Sequence, residues 1–262
     1  MTSAIPIAIH GASGRMGQAL LHAVHERADA AVVAAMVRAD SPLNGRRVDG
    51  GELVYSTTLD AQARVLVDFS HAGAFDDALR LAVEQRIGFV SGTTGIDARQ
   101  RSAMESASAT IPVLWSANFS LGVALLTTLV EQAARALPQW DCEIIEAHHN
   151  RKRDAPSGTA LALGRAVAEA RDVDFDAVAR RSRDAATAPR EPGEIGFAAI
   201  RAGDIVGEHE VVFATRGERI ELAHRATDRA IFARGALEAA CWIADRPAGL
   251  YALADVFGQP RR

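Results

Sequence analysis

The sequence predicts an α/β fold whose first half is a doubly wound parallel sheet. Three observations carry this. Short, branched-aliphatic runs alternate with segments of helical periodicity over the first 119 residues, the rhythm of successive βα units. A glycine-rich turn, Gly11-Ala12-Ser13-Gly14-Arg15-Met16-Gly17, joins the first such run to the first helix. Beyond residue 120 strand-like runs begin to follow one another, which adds an α+β domain with a mixed, open sheet.

Taken in order, Ile5–His10 suits a buried parallel strand and Gln18–Val24 the helix after it. Gly11, Gly14 and Gly17 between them are spaced G-x-x-G-x-x-G, a variant of the dinucleotide fingerprint. Glycine permits the tight turn and the close approach of a pyrophosphate, and the helix start aims its N–H groups at the phosphates. A glycine turn alone is weak evidence. Its place after a strand and before a helix makes the domain Rossmann-type; the alternative is a tight βα turn that holds no ligand. Ala31–Val37 is the next strand. An NAD-specific site puts an acid at its end, and this chain has Val37-Arg38 with Asp40 beyond. Arg38 is expected to face a 2′-phosphate, which points to NADPH with NADH also accepted; the alternative is a solvated surface arginine.

The βα rhythm continues with strand Arg64–Ser70, helix Ala72–Gln85, strand Gly88–Ser91, helix Asp97–Ala109 and strand Ile111–Trp115. Ligands of such sheets sit at the carboxyl ends of the strands. Gly92-Thr93-Thr94-Gly95 and Ser116-Ala117-Asn118-Phe119 lie at two of those ends and offer small hydroxyl and amide groups. After a helix, Leu121–Leu137, comes a strand, Trp140–Ala147, and then a cationic loop, His148-His149-Asn150-Arg151-Lys152-Arg153. The loop ends at Ser157, an N-cap for a helix over Thr159–Arg171. A helix start beside two imidazoles and an ammonium suits an anionic substrate and a proton transfer. Adjacent strand residues face opposite ways, so His148 and His149 must sit where the strand ends. Residues 172–194 read as a long excursion with a turn at Ala188-Pro189-Arg190-Glu191-Pro192-Gly193. Gly196–Arg201, Gly207–Thr215 and Arg219–Ala226 then read as strands of an antiparallel sheet with exposed edges, and Phe232–Ile243 as the closing helix.

Composition excludes several functions. A net charge of −4 gives no global attraction to nucleic acid or an acidic membrane. The apolar stretches are too short or interrupted to span a bilayer, and no signal-peptide pattern opens the chain. Cys142 and Cys241 make no disulfide or metal pattern and fit a reducing compartment, the cytoplasm. No metal site is expected: His148 and His149 are adjacent, and His22 with His25 suggests a solvated helix face.

The glycine turn, Gly92-Thr93-Thr94-Gly95, Ser116–Ser120, the Glu146–Ala160 stretch and Gly196–His209 together resemble the dihydrodipicolinate reductase family, in its order and spacing from residue 5 to about 257. The resemblance implies reduction of a small cyclic dicarboxylate by NADPH or NADH in diaminopimelate and lysine biosynthesis, by a homotetramer. It implies a dinucleotide-binding domain at 1–119 and 229–262, and a substrate-binding and tetramerisation domain at 120–228. By this likeness Gly11, Ala12, Ser13, Gly14, Arg15 and Met16 hold the pyrophosphate and Arg38 borders the adenosine ribose. Gly92, Thr93, Thr94, Ser116, Ala117, Asn118 and Phe119 line the nicotinamide side. His148 is the proton donor or acceptor, Lys152 the proton donor, and His149, Ser157, Gly158 and Thr159 bind substrate. Many members carry an acid where Val37 stands.

Rival readings are poorer. The short-chain dehydrogenases need Tyr-x-x-x-Lys, but Tyr55 and Tyr251 are followed four residues on by Leu59 and Asp255. Semialdehyde dehydrogenases need a nucleophilic cysteine, and Cys142 and Cys241 lie in strand and helix patterns. Homoserine-dehydrogenase-like reductases lack the His-His…Lys loop. A nucleotide-sensing regulator touching nucleic acid through Asn150–Arg153 has no recognition helix in this sequence.

Overall fold

The computed structural model describes residues 4–49, 51–183 and 189–258. Strand β1 (Ile5–His10) turns into helix α1 (Arg15–Ala23), which tightens into a 3₁₀ turn at Val24–Glu26. Then come β2 (Ala30–Met36), β3 (Tyr55–Ser56), β4 (Val65–Asp68), α2 (Ala72–Gln85), β5 (Gly88–Ser91), α3 (Ala98–Ala107) and β6 (Pro112–Trp115). Helix α4 (Leu121–Ala136) leads to β7 (Asp141–His148), α5 (Gly158–Ala170), the single turn α6 (Phe175–Val178), β8 (Ala179–Arg180), β9 (Ile195–Arg201), β10 (Gly207–Thr215) and β11 (Glu218–Ala226). Helix α7 (Ala230–Ile243) and β12 (Gly249–Tyr251) follow, then a 3₁₀ turn at Leu253–Phe257.

The chain forms two compact units, residues 1–121 with 230–262, and residues 122–229. The first is built on a seven-stranded sheet in the order β12-β6-β5-β4-β1-β2-β3, parallel at every pairing. Its central strands read as continuous apolar runs because both faces are covered: Ile7, Ala8, Ile9, Val65, Leu66, Val67, Phe89 and Val90 are all fully buried. On one face Phe75 and Ala78 of α2 and Met104 of α3 pack over Leu66 and Phe89. Two short edge strands, β3 and β12, were not expected; at two and three residues they are too brief for a periodicity to register. The first helix begins earlier than its apolar pattern, at Arg15, because Gly14 in extended conformation serves as its N-cap.

The second unit is a five-stranded mixed sheet in the order β11-β10-β7-β9-β8. One face packs Cys142, Ile144, Val211, Phe213, Ile195 and Phe197 against Leu163 and Val167 of α5 and Leu126 and Val130 of α4. The expected antiparallel run of three strands is corrected here. β10 and β11 do pair antiparallel, but β7 lies between β10 and β9, antiparallel to the one and parallel to the other. The turn at Ala202-Gly203-Asp204 therefore closes no hairpin. It crosses the end of β7, where Ala202 N–H donates to the His148 carbonyl (2.9 Å) and Asn150 N–H to the Gly203 carbonyl (3.2 Å). Central placement puts the apolar run of β7 between two partners. The excursion at 172–194 contains α6 and β8; its residues 184–188, including Ala188 of the expected turn, lie outside the described residues.

Candidate active site

In the first unit, the glycine turn is held by its backbone. Gly11 has φ +82°, in the left-handed region that favours glycine. Its N–H and that of Ala12 donate to the Met36 carbonyl (3.1 and 2.9 Å), and Gly14 N–H to the Gly11 carbonyl (2.9 Å). A Cβ on Gly11 would lie 2.8 Å from the Phe69 carbonyl oxygen, and one on Gly17 would lie 2.4 Å from that of Gly11. The glycines thus leave a backbone-lined cradle, and a cavity of about 210 Å³ lies beside it, lined by His10, Gly11, Ser13, Gly14, Arg38 and His71 among others. That concavity at the start of a helix fits the pyrophosphate end of a dinucleotide.

The other cofactor candidates divide. Ser13, Arg15, Thr94 and Ala117 are exposed, and Met16 and Asn118 half-buried. Arg38 is 71% exposed, 3.4 Å from Asp40 through its Nε. The Thr93 side chain is buried and its hydroxyl donates to Asp68 Oδ2 (2.7 Å), so it offers a ligand no side-chain group. Phe119 is likewise buried, its ring 5.3 Å from that of Phe69. Ala12 is wholly inside. Ser116 Oγ donates to the Asn118 carbonyl (2.7 Å) and shapes its own turn. For Ala12, Thr93 and Phe119 the backbone alone is left for recognition.

Sequence reasoning passed over the centre of this region. Asp68 ends β4 fully buried, and its carboxylate accepts from His10 Nδ1 (2.8 Å), Ser70 Oγ (2.6 Å), Ser91 Oγ (2.8 Å) and Thr93 Oγ1. Burial pushes its pKa up, but the bonds from His10 and Ser70 outweigh that and hold it below the ordinary carboxylate value. An acid closing the apolar run Val65-Leu66-Val67 was the signal available.

In the second unit, the loop after β7 collects the predicted catalytic and substrate residues. His148 is the last strand residue and His149 the first beyond it, as two adjacent imidazoles on one site require. Glu146, two residues back and so on the His148 face, is 1% exposed. Its Oε2 accepts from His148 Nδ1 (2.7 Å) and Arg201 (2.8 Å); its Oε1 accepts from Arg201 (2.7 Å) and Ser157 N–H (3.0 Å). Burial raises the Glu146 pKa, and the Arg201 and His148 bonds override it, so the group stays below its usual value. Gly207 leaves room for the other ring edge: a Cβ there would meet His148 Nε2 at 3.1 Å.

Ser157 caps α5 as expected, its Oγ accepting from Ala160 N–H (3.2 Å) while also bonded to His209 Nε2 (3.0 Å). His209 is buried, and desolvation pushes its pKa down to about 4. Gly158 is exposed at the first turn of α5, with open space where a Cβ would stand, and half-buried Thr159 follows. Desolvation, helped by Arg229 and Arg151, also lowers the His149 pKa. Lys152 does not stand alone: its Nζ is 2.8 Å from Asp154 Oδ2. Glu146, Arg201 and His209 carried no role in the sequence. The i, i+2 spacing of Glu146 and His148 could have signalled one; the register that sets His209 opposite Glu146 could not be read before the strands were paired.

Cys142 is buried in β7 and Cys241 partly so in α7, with burial pushing their thiols up to about 12 and about 11, as packing residues require. His22 and His25 are exposed. Among the described residues no His, Cys, Asp and Glu cluster suits a metal, and no helix is long and apolar enough to cross a membrane.

Known proteins agree along the whole chain. The family described as "Dihydrodipicolinate reductase, N-terminus" matches residues 5–119, and "Dihydrodipicolinate reductase, C-terminus" residues 122–257. The 4-hydroxy-tetrahydrodipicolinate reductase of Zymomonas mobilis subsp. mobilis is 45% identical over 257 residues, 98% of each chain. That of Stenotrophomonas maltophilia is 49% identical over 250 residues, 95% of each. The dipicolinate-bound dihydrodipicolinate reductase from Paenisporosarcina sp. TG-14 shares the fold at a TM-score of 0.80 and 23% identity, over 95% of this chain and 97% of that one. The chain belongs to the dihydrodipicolinate reductase family.

Proposed function

We propose that the chain is an NADPH- or NADH-dependent oxidoreductase that reduces 4-hydroxy-tetrahydrodipicolinate to tetrahydrodipicolinate, in diaminopimelate and lysine biosynthesis. The relatives' activity supports the reaction. The observation that carries its assignment to residues is the Glu146–His148 pair in the same loop as Lys152 and the α5 N-terminus.

Loss of water from the 4-hydroxy compound leaves a carbon–nitrogen double bond conjugated to an alkene. The reduced nicotinamide, when bound, supplies a hydride to that system. The electron pair displaced through the conjugation must then take a proton, and this chain supplies it. Glu146 holds the Nδ1 edge of His148, so Nε2 is the edge turned to chemistry; the buried carboxylate stabilises the ring when it carries a proton. Lys152 donates the proton or neutralises a carboxylate once it exchanges Asp154 for the substrate. The N-terminal turn of α5, with Gly158 and Thr159, holds a carboxylate at the positive end of a 13-residue helix, and His149 and Ser157 complete that pocket. Nucleotide binding is assigned to the first unit, through Gly11–Met16, Arg38, Gly92–Thr94 and Ser116–Phe119.

We infer a cytoplasmic homotetramer assembled through the sheet of the second unit. The face opposite its core carries Ile145 with Ile200, which is 49% exposed, and the pairs Arg225–Glu208 and Arg225–Glu210. Such a face invites a self-complementary partner, and light scattering on the purified protein checks the stoichiometry. The reaction itself is tested by supplying pyruvate, aspartate semialdehyde and the upstream synthase, then following absorbance loss with NADPH and with NADH. Oxidation of neither cofactor would sink the assignment.

A further inference from the structure

His10 closes β1 immediately before Gly11, and its ring lines the cavity beside the glycine turn. Its Nδ1 is taken up by Asp68, which has no exposure to solvent. The ring nitrogen left to a ligand is Nε2. Resting on the nucleotide-binding reading of this unit, we propose that His10 is a further nucleotide-binding residue: Asp68 holds it by Nδ1, and Nε2 donates to an oxygen of the cofactor's pyrophosphate.

Three features support the assignment. A fully buried carboxylate against the ring offsets much of the cost of a positive charge at the rim of a cavity. The charge would lie beside the cradle built from Gly11 to Gly14, where the phosphates are expected. The same carboxylate also accepts from Ser70, Ser91 and Thr93, so one buried group fixes His10 on the phosphate side and the Gly92–Thr94 loop on the nicotinamide side. The charged and titratable groups around the ring are few: Asp68 from β4, Arg38 after β2, itself beside Asp40, and His71, the N-cap of α2.

The test is a fluorescence titration with NADH, chosen because it lacks the 2′-phosphate whose own ionisation falls near pH 6. Wild type, H10N and H71Q are compared in one buffer, H71Q serving as the control for the other imidazole that lines the cavity. Asparagine keeps a donor near the Nδ1 position for Asp68 and removes Nε2. Wild type is expected to bind about tenfold more tightly than H10N, the worth of one charge-assisted hydrogen bond, and H71Q to bind like wild type. Equal binding by H10N and wild type overturns the proposal, as does a loss in H71Q as large as that in H10N. If H10N does not fold, imidazole NMR of the wild type replaces it: addition of ADP-ribose must shift the His10 ring resonances, and unmoved resonances overturn the proposal. Should wild type bind neither NADH nor NADPH, the nucleotide reading itself falls, an outcome distinct from failure of His10 alone.

Discussion

Asp68 in the first unit and Glu146 in the second are buried carboxylates at or near strand ends, each gripping an imidazole by Nδ1. They are satisfied differently. Asp68 is met by His10 and by hydroxyls, with no arginine or lysine among its partners. Glu146 is met by a bidentate guanidinium from Arg201, which also ties down the Asp154 carbonyl (2.7 Å) and hence the loop after β7. The first arrangement spreads one negative charge over an imidazole and three hydroxyls and ties His10 to the Gly92–Thr94 loop. The second pairs the charge with a guanidinium and fixes the His148 imidazole ahead of the loop that carries Lys152, itself 2.8 Å from Asp154. The proposed function puts nucleotide binding in the first unit and proton delivery in the second.

The sharpest way to break that division is Lys152→Ala. Its loss should lower kcat by roughly 10²–10⁴, the range for a missing proton donor, while the Kd for NADPH stays near wild type. Steady-state kinetics beside nucleotide titration checks this. Unchanged turnover would remove Lys152 from the mechanism, and a matching loss of nucleotide affinity would erase the separation between the units. Next come the two carboxylates. Glu146→Gln leaves the largely buried Arg201 without its charge partner and should cost about 3 kcal/mol, the lower end for breaking a buried ion pair. Asp68→Asn weakens the grip on the His10 ring and on three hydroxyls but strands no guanidinium, and should cost about 1–2 kcal/mol. Denaturant unfolding of both variants measures the difference; a larger loss for Asp68→Asn would refute the contrast between a paired and a dispersed charge.

Much of the first unit was legible because a parallel sheet writes itself as apolar runs broken by helices, and because glycine at position 11 has a conformational reason to be there. The cationic loop and the Ser157 cap were legible for the same kind of local reason. What escaped was non-local. The parallel pairing of β9 with β7 depends on which strands meet after the chain has crossed the end of β7, and no spacing within residues 196–226 encodes it. That pairing sets Arg201 opposite His148, and the antiparallel pairing of β10 with β7 sets His209 opposite Glu146. Thr93 shows another non-local dependence: it sits in the expected loop, and its hydroxyl turns inward to a carboxylate 25 residues earlier in the chain.

The pH dependence of folding sharpens the comparison further. His209 is held neutral by burial, with its pKa pushed down from 6.5 to about 4. Between those values the unfolded chain takes up a proton that the folded chain refuses, so the folded state loses stability as pH falls from about 6.5 towards about 4. The contribution is at most about 3 kcal/mol, from the worth of a pKa unit. Asp68 and Glu146, both lowered, keep their contributions until pH falls below the ordinary carboxylate range. Urea unfolding at stepped pH should therefore show an upper, histidine-driven loss that His209→Gln flattens. A loss of the same size in that variant would assign the upper step to another group.

The smallest expected effect concerns cofactor choice, at the exposed rim of the first unit. Arg38 follows Val37, where an acid would favour a free ribose, and it stands 3.4 Å from Asp40. A guanidinium so exposed contributes little to folding, so its replacement reports on the ligand alone. Facing a 2′-phosphate, it should be worth about tenfold in affinity, one charge-assisted contact already weakened by solvent and by its acidic neighbour. Arg38→Ala is therefore expected to weaken NADPH about tenfold and NADH less than twofold, with the NADPH loss shrinking at high salt. Asp40→Ala should act in the opposite direction on NADPH, because it frees the arginine. Equal losses for both cofactors in Arg38→Ala would mean that Arg38 supports the adenosine end in general, and the origin of any preference would then move inward to the glycine turn and His10.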